Sequence, residues 1–172
     1  MHIARPFIRK ATWTRPADTT QYTAGDAVSD DATTATIASF TLHNMGAMAG
    51  MGGVIHSVTL HKTDQDQTGA DFDIYFFTTP PAGSTFEDNA AIAVTDAVFQ
   101  TCVGFVALTA AADGRGVATG DIFCKTNLDL PYECGADTTT IVAPLYFVVV
   151  ARGTYTPASA EVFTLTVGGI LQ

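Results

Sequence analysis

The chain has 172 residues, 47% apolar and 15% charged, with 17 acids against 8 bases and a formal charge of -9. That length supports one domain with its own core, and so apolar a chain is not disordered. No apolar run reaches the roughly 18 residues of a membrane span, and the acidic balance argues against a grip on nucleic-acid phosphates. With 27 Thr, 26 Ala and 23 Val plus Ile against 8 Leu, the composition favours strands over helical bundles.

Residues 1–15 hold Arg5, Arg9, Lys10 and Arg15, four of the eight bases, ahead of the first acid, Asp18. They read as an extended basic arm, with Pro6 and Pro16 favouring extended backbone. No apolar core of a signal peptide follows these bases. A single β-domain is expected over 16–172. Residues 16–35 read as loop. Residues 36–43 alternate, with Ala38, Phe40 and Leu42 on one face. Residues 44–53 are rich in Gly and Met. Residues 54–63 alternate again, Val54, Val58 and Leu60 opposing Ser57, Thr59 and His61. The clearest strand is 71–78, with Phe72, Ile74 and Phe76 inward and Asp73, Tyr75 and Phe77 outward. A short helix is expected after Thr95, a suitable cap. Strands are predicted at 103–108 and 117–125, followed by a turn-rich piece. The apolar run 141–151 is a strand covered on both faces or lying in a subunit interface. Residues 161–168 turn Phe163, Leu165 and Val167 inward. Together these elements predict an all-β protein, an antiparallel jelly-roll-like β-sandwich with one short helix.

Motifs of chemistry are scarce. There is no nucleophile elbow, P-loop, dinucleotide fingerprint or zinc-protease helix, and no enzyme, cofactor or metal is expected. Cys102, Cys124 and Cys134 are odd in number and read as small buried groups of a protein made in a reducing cytoplasm, with a Cys124–Cys134 bridge left open. His43 and His61 lack a third metal ligand. Residues 64–69 start like a calcium loop, with Asp64 and Asp66 in place. The twelfth position is Tyr75 rather than an acid, so a polar hairpin turn is the reading. Met45, Met48 and Met51 in a glycine-rich loop suit a protein contact. In the basic arm Phe7, Ile8 and Trp13 interleave with Arg5, Arg9 and Lys10, as in a docking strap for an acidic partner. The arm carries about +4 and the remainder about -13 by counting bases and acids on each side of residue 15.

Two stretches, Arg15-Pro16-Ala17-Asp18-Thr19-Thr20-Gln21-Tyr22-Thr23-Ala24-Gly25-Asp26 and Ala151-Arg152-Gly153-Thr154-Tyr155-Thr156-Pro157-Ala158-Ser159-Ala160-Glu161-Val162-Phe163, carry a resemblance. With the glycines before Val54 and Asp88-Asn89-Ala90-Ala91, they resemble virion structural proteins of tailed bacteriophages. The resemblance implies a head decoration (cement) protein on the capsid surface. Its partners would be the major capsid protein and its own copies in a homotrimer, with no nucleic acid or membrane bound. The alternative is a tail or fibre component, or a carbohydrate-binding adhesin module.

Overall fold

The computed structural model describes residues 4–33, 40–46, 50–64, 70–81, 84–135 and 143–172. Among the described residues ten strands and two helical turns follow one another. They are β1 (Arg5–Thr14), β2 (Thr41–Gly46), β3 (Gly52–Lys62), β4 (Phe72–Phe77), α1 (Asp96–Phe99), β5 (Cys102–Leu108), α2 (Ala110–Asp113), β6 (Gly114–Val117), β7 (Gly120–Lys125), β8 (Leu130–Glu133), β9 (Ala143–Ala151) and β10 (Val162–Leu171).

One sheet runs β1-β10-β3-β7-β6, with β8 on the first half of β3; the other runs β2-β9-β4-β5. All ladders between these strands are antiparallel. The chain crosses from sheet to sheet between β1 and β2, β2 and β3, β3 and β4, β5 and β6, and again on both sides of β9. This is the jelly-roll order, and the core fills the space between the two inner faces. It takes Phe72, Ile74 and Phe76 from β4 and Phe163, Leu165 and Val167 from β10, as their alternation predicts. β9 is buried on both faces: Leu145, Phe147 and Val149 join the main core, while Val148 and Val150 meet Ala27, Phe77, Phe86 and Val98. The cover is the chain's own excursion between β4 and β5 together with the segment around Ala27, between β1 and β2, so Val148 and Val150 offer no free face to a neighbour. Phe77, expected outward, is therefore 1% exposed.

The largest correction concerns the basic arm. Residues 5–14 are not a strap but β1, paired residue for residue with β10 from Arg5↔Leu171 to Thr14↔Val162. Phe7 and Trp13 are core residues, 5% and 3% exposed. Trp13 stacks on Phe163 at 5.4 Å and tilts against Phe147 at 5.8 Å. Phe7 meets Tyr132 edge-on at 6.3 Å. Its ring lies over Gly169, where a Cβ would come within 2.9 Å of it. The strand period was present in Phe7, Arg9, Ala11 and Trp13 against Ile8, Lys10 and Thr12, but Arg9 masked it. Arg9 takes an inward position by leaving through the sandwich edge, where its Nε donates to Asn44 O at 2.9 Å.

Smaller differences have equally local causes. Residues 114–125 are two strands, β6 and β7, divided at Gly120 with φ +152. The turn-rich piece contains β8. α2 was not foreseen; Thr109 caps it, and Asp113 Oδ2 accepts from Thr109 N at 2.8 Å. α1 begins after Thr95 as expected, with Thr95 Oγ1 accepting from Val98 N. Residues 36–39, Met48 and Asp66 fall outside the described residues.

Removing residues 1–12 is expected to abolish folding, because β10 loses its edge partner along most of its length. Trp13→Ala should cost about 3–5 kcal/mol, read as a lowered urea midpoint with an unchanged slope.

Candidate functional site

The outer face of the first sheet is shaped by a bulge in β3. Gly168 pairs with Ser57 but Gly169 pairs with Ile55, so His56 is the extra residue. Its Nδ1 lies 3.0 Å from Leu128 O. A bulge shifts the inward–outward phase of everything beyond it. Val58 and Leu60 therefore face the core, while Val54, expected on their face, points outward.

That shift completes an apolar strip. Register places Pro6, Ile170, Val54 and Pro131 side by side across β1, β10, β3 and β8. Ile8 follows Pro6 on the same face of β1 and is 68% exposed. Exposed Lys10 follows Ile8 on this face of β1, and exposed Glu133 follows Pro131 on that of β8; Arg5, also exposed, falls in the inward phase of β1 opposite Leu171. Pro6 and Pro131 lack an N–H and stand on outer strands, which discourages strand addition. The strip is suited to contact through its face, and exposed apolar groups gathered this way mark interaction surfaces.

The outer face of the second sheet carries an aromatic ledge. Tyr75 and Phe105 stack at 5.4 Å and 28°, with Phe105 57% exposed. Asp73 lies two residues from Tyr75 on the same face, and its Oδ2 pairs with Arg152 Nε at 3.3 Å. Burial, opposed by Arg152, raises the Asp73 carboxyl above the usual range. Burial and the Asp73 charge raise the Tyr75 phenol. Phe99, at the end of α1, is 46% exposed.

At one end of the sandwich the loops close over a buried polar column. Arg15 Nη2 donates to Asp88 Oδ2 at 3.0 Å and to Asp18 Oδ1 at 3.0 Å, while its Nε donates to Tyr22 Oη at 3.0 Å. Tyr22 Oη donates to Asp88 Oδ1 at 2.5 Å, which also accepts from Ser29 N. The guanidinium lies 5.3 Å from the Tyr22 ring centre, Tyr22 stacks on Tyr155 at 5.1 Å, and Lys62 Nζ lies 5.5 Å from the Tyr155 ring on its way to Asp121 and Glu161. Burial raises the Asp88 carboxyl against the opposing pull of Tyr22, Ser29 and Arg15. Arg15, Tyr22, Tyr155 and Lys62 are all at most 2% exposed, so the column meets no external ligand and works as a structural tie.

Of the residues singled out in the sequence, Ile8 and Lys10 lie at the apolar strip, while Arg5, exposed at the start of β1, falls in the opposite phase. Phe7, Trp13 and Met45 are core, Arg9 is tied to β2, and Met51 is half-buried. A Met contact surface is therefore not formed by Met45, which is 0% exposed. Pro6, Val54, Pro131 and Ile170 were missed because only sheet register brings them together; Phe105 was missed because its strand was read without its partner. His43 and His61 sit in different sheets. Among the described residues no group of three or more His, Cys, Asp or Glu could hold a metal ion. Asp64 instead gives its carbonyl to Lys62 Nζ at 3.0 Å and its N–H to Glu161 Oε1 at 3.2 Å. All three cysteines are free, with Cys124 exposed and Cys134 buried, so the Cys124–Cys134 bridge is not formed. No family model and no curated protein matches the chain.

Arg15→Met should destabilise by about 3–5 kcal/mol, since it strands the buried Asp88 carboxylate. The double variant Arg15→Met/Asp88→Leu should recover part of that loss in a urea-unfolding cycle.

Proposed function

We propose that the protein is a non-enzymatic virion protein of a tailed bacteriophage, a capsid decoration protein that binds and braces the head shell. The observation that carries this reading is the apolar strip of Pro6, Ile8, Val54, Pro131 and Ile170 beside Lys10. A body with a formal charge of -9 would be repelled by an acidic shell, so its contact needs apolar area and local cations. Lys10 supplies an ammonium for a carboxylate. Closed symmetric assembly avoids runaway polymers, and a homotrimer suits the three-fold positions of a shell. Support also comes from the resemblance: Arg15, Tyr22, Asp88, Tyr155 and Glu161, which carry it, belong to the buried column.

Ile8→Asp combined with Val54→Asp is expected to leave melting temperature and fold unchanged. It should weaken binding to heads lacking the protein by about 30-fold or more, the scale of an interface hot spot. Raising salt should weaken wild-type binding only in part, because apolar contact is not screened. Wild-type affinity in the double variant would rule the strip out as the contact.

The Tyr75–Phe105 ledge beside Asp73 and Arg152 favours a second reading, a carbohydrate-binding adhesin module of a tail or fibre. An aromatic face takes the apolar side of a sugar ring, while a carboxylate and a guanidinium take hydroxyls. On a glycan array this reading expects specific binding that Phe105→Ala abolishes; capsid binding untouched by Phe105→Ala, with an empty array, would exclude it.

A further inference from the structure

We infer that the cluster at the inner end of β3 holds one extra proton at neutral pH, carried on Glu161 Oε2, and that this proton fastens the loop end of the sandwich. The cluster joins three elements: Lys62 ends β3, Asp121 lies near the start of β7, and Glu161 immediately precedes β10. Their side chains are 0% exposed. Lys62 Nζ stands 3.2 Å from Asp121 Oδ2 and 3.3 Å from Glu161 Oε1. One cation thus faces two carboxylates. Fully ionised, the three groups would leave a net negative charge in a site without solvent, which costs several kcal/mol unless another charge cancels it.

Among the described residues the neighbours do not supply that charge. Asp64, which enters through its backbone, adds a negative charge that acts on Glu161. Tyr155 stands between Lys62 and Tyr22. Beyond Tyr22, Arg15 is matched by Asp88, with half-exposed Asp18 alongside. His61, next to Lys62, faces outward, its Nε2 3.1 Å from where a Cβ on Gly120 would lie.

The hydrogen bonds lead to the same place. Glu161 Oε1 is used, accepting from Lys62 Nζ and Asp64 N. Glu161 Oε2, both Asp121 oxygens and Tyr155 Oη are buried with no hydrogen-bond partner among the described residues. Asp121 Oδ2 has the Lys62 ammonium at 3.2 Å, which leaves Glu161 Oε2 and Asp121 Oδ1 as surplus acceptors. A proton on Oε2 turns one surplus acceptor into a donor and brings the cluster to neutrality. Burial raises the Glu161 carboxyl above its ordinary range, outweighing the opposing pull of Lys62.

A folded state that binds this proton more tightly than the unfolded chain is most stable below the ordinary glutamate pKa of about 4.3 and loses stability as pH rises through the raised folded value. The clasp is closed by acid and loosened by alkali.

The test uses the full chain. Melting temperature is recorded from pH 5 to pH 9 for wild type, Glu161→Gln and Asp121→Asn. Wild type should fall as pH rises, by up to about 3–5 °C per pH unit within the window. Asp73 and Asp88, also raised by burial, are common to every variant, so the difference between profiles isolates the cluster. Glu161→Gln imitates the neutral acid and should flatten the profile, matching or exceeding wild type at pH 8. Asp121→Asn should flatten it as well, because Lys62 then balances an ionised Glu161. A Glu161→Gln profile parallel to wild type and lower throughout would overturn the inference. Should either variant fail to fold, the carbon-13 carboxyl resonance of Glu161 in the wild-type protein decides. A carboxylic acid signal at pH 7 supports the bound proton, and a carboxylate signal refutes it.

Discussion

A cation stacked on two tyrosines and a second cation closes this sandwich. Arg15, Tyr22, Tyr155 and Lys62 form one continuous buried file, and each cation is met at its outer end by carboxylates. Its members come from the exit of β1, the loop after it, the loop before β10 and the end of β3. Asp88 brings in the excursion between β4 and β5, and Asp121 the start of β7. Long loops would otherwise fray at the end of a sandwich, since ordering each residue costs about 1–2 kcal/mol of backbone entropy. A desolvated polar file is directional, so it fixes where those loops sit as apolar packing alone would not.

The same economy of placement governs the sheets. Trp13 fills the space between the sheets against Phe40, Phe147 and Phe163. Gly169 lets Phe7 lie against the backbone of β10. The bulge at His56 then moves Val54 from the inner to the outer face. With the interior filled by aromatic rings, Val54 joins Pro6, Ile8, Pro131 and Ile170 where solvent would otherwise require polar groups. The neighbouring surface is the threonine-rich pattern usual for a solvated sheet, with Thr12 and Thr164 sharing a hydrogen bond at 3.1 Å.

This division separates fold from activity. The strip and the ledge lie on the outer faces of the two sheets, apart from the residues that close the fold. A sandwich is a scaffold for many surfaces. The decoration reading therefore rests on the strip, and the adhesin reading on the ledge.

The all-β class, the inward faces of β4 and β10 and the capped turn at Thr95 were legible in the sequence, because period-two alternation and capping are local. The double burial of β9 was legible as an unbroken apolar run, but its cover was not, since Phe86 and Val98 lie about fifty residues away along the chain, a separation read directly from their numbers. The basic N-terminal residues misled because charge and proline outweighed a strand period that Arg9 interrupts; only the edge of the folded sandwich shows where its guanidinium goes. The apolar strip could not be read from the chain at all. Pro6, Val54, Pro131 and Ile170 are neighbours only through register, and register depends on one bulged histidine whose place is set by pairing between distant strands. Sequence determined which residues seek burial; tertiary structure decided which of them a filled core would leave outside.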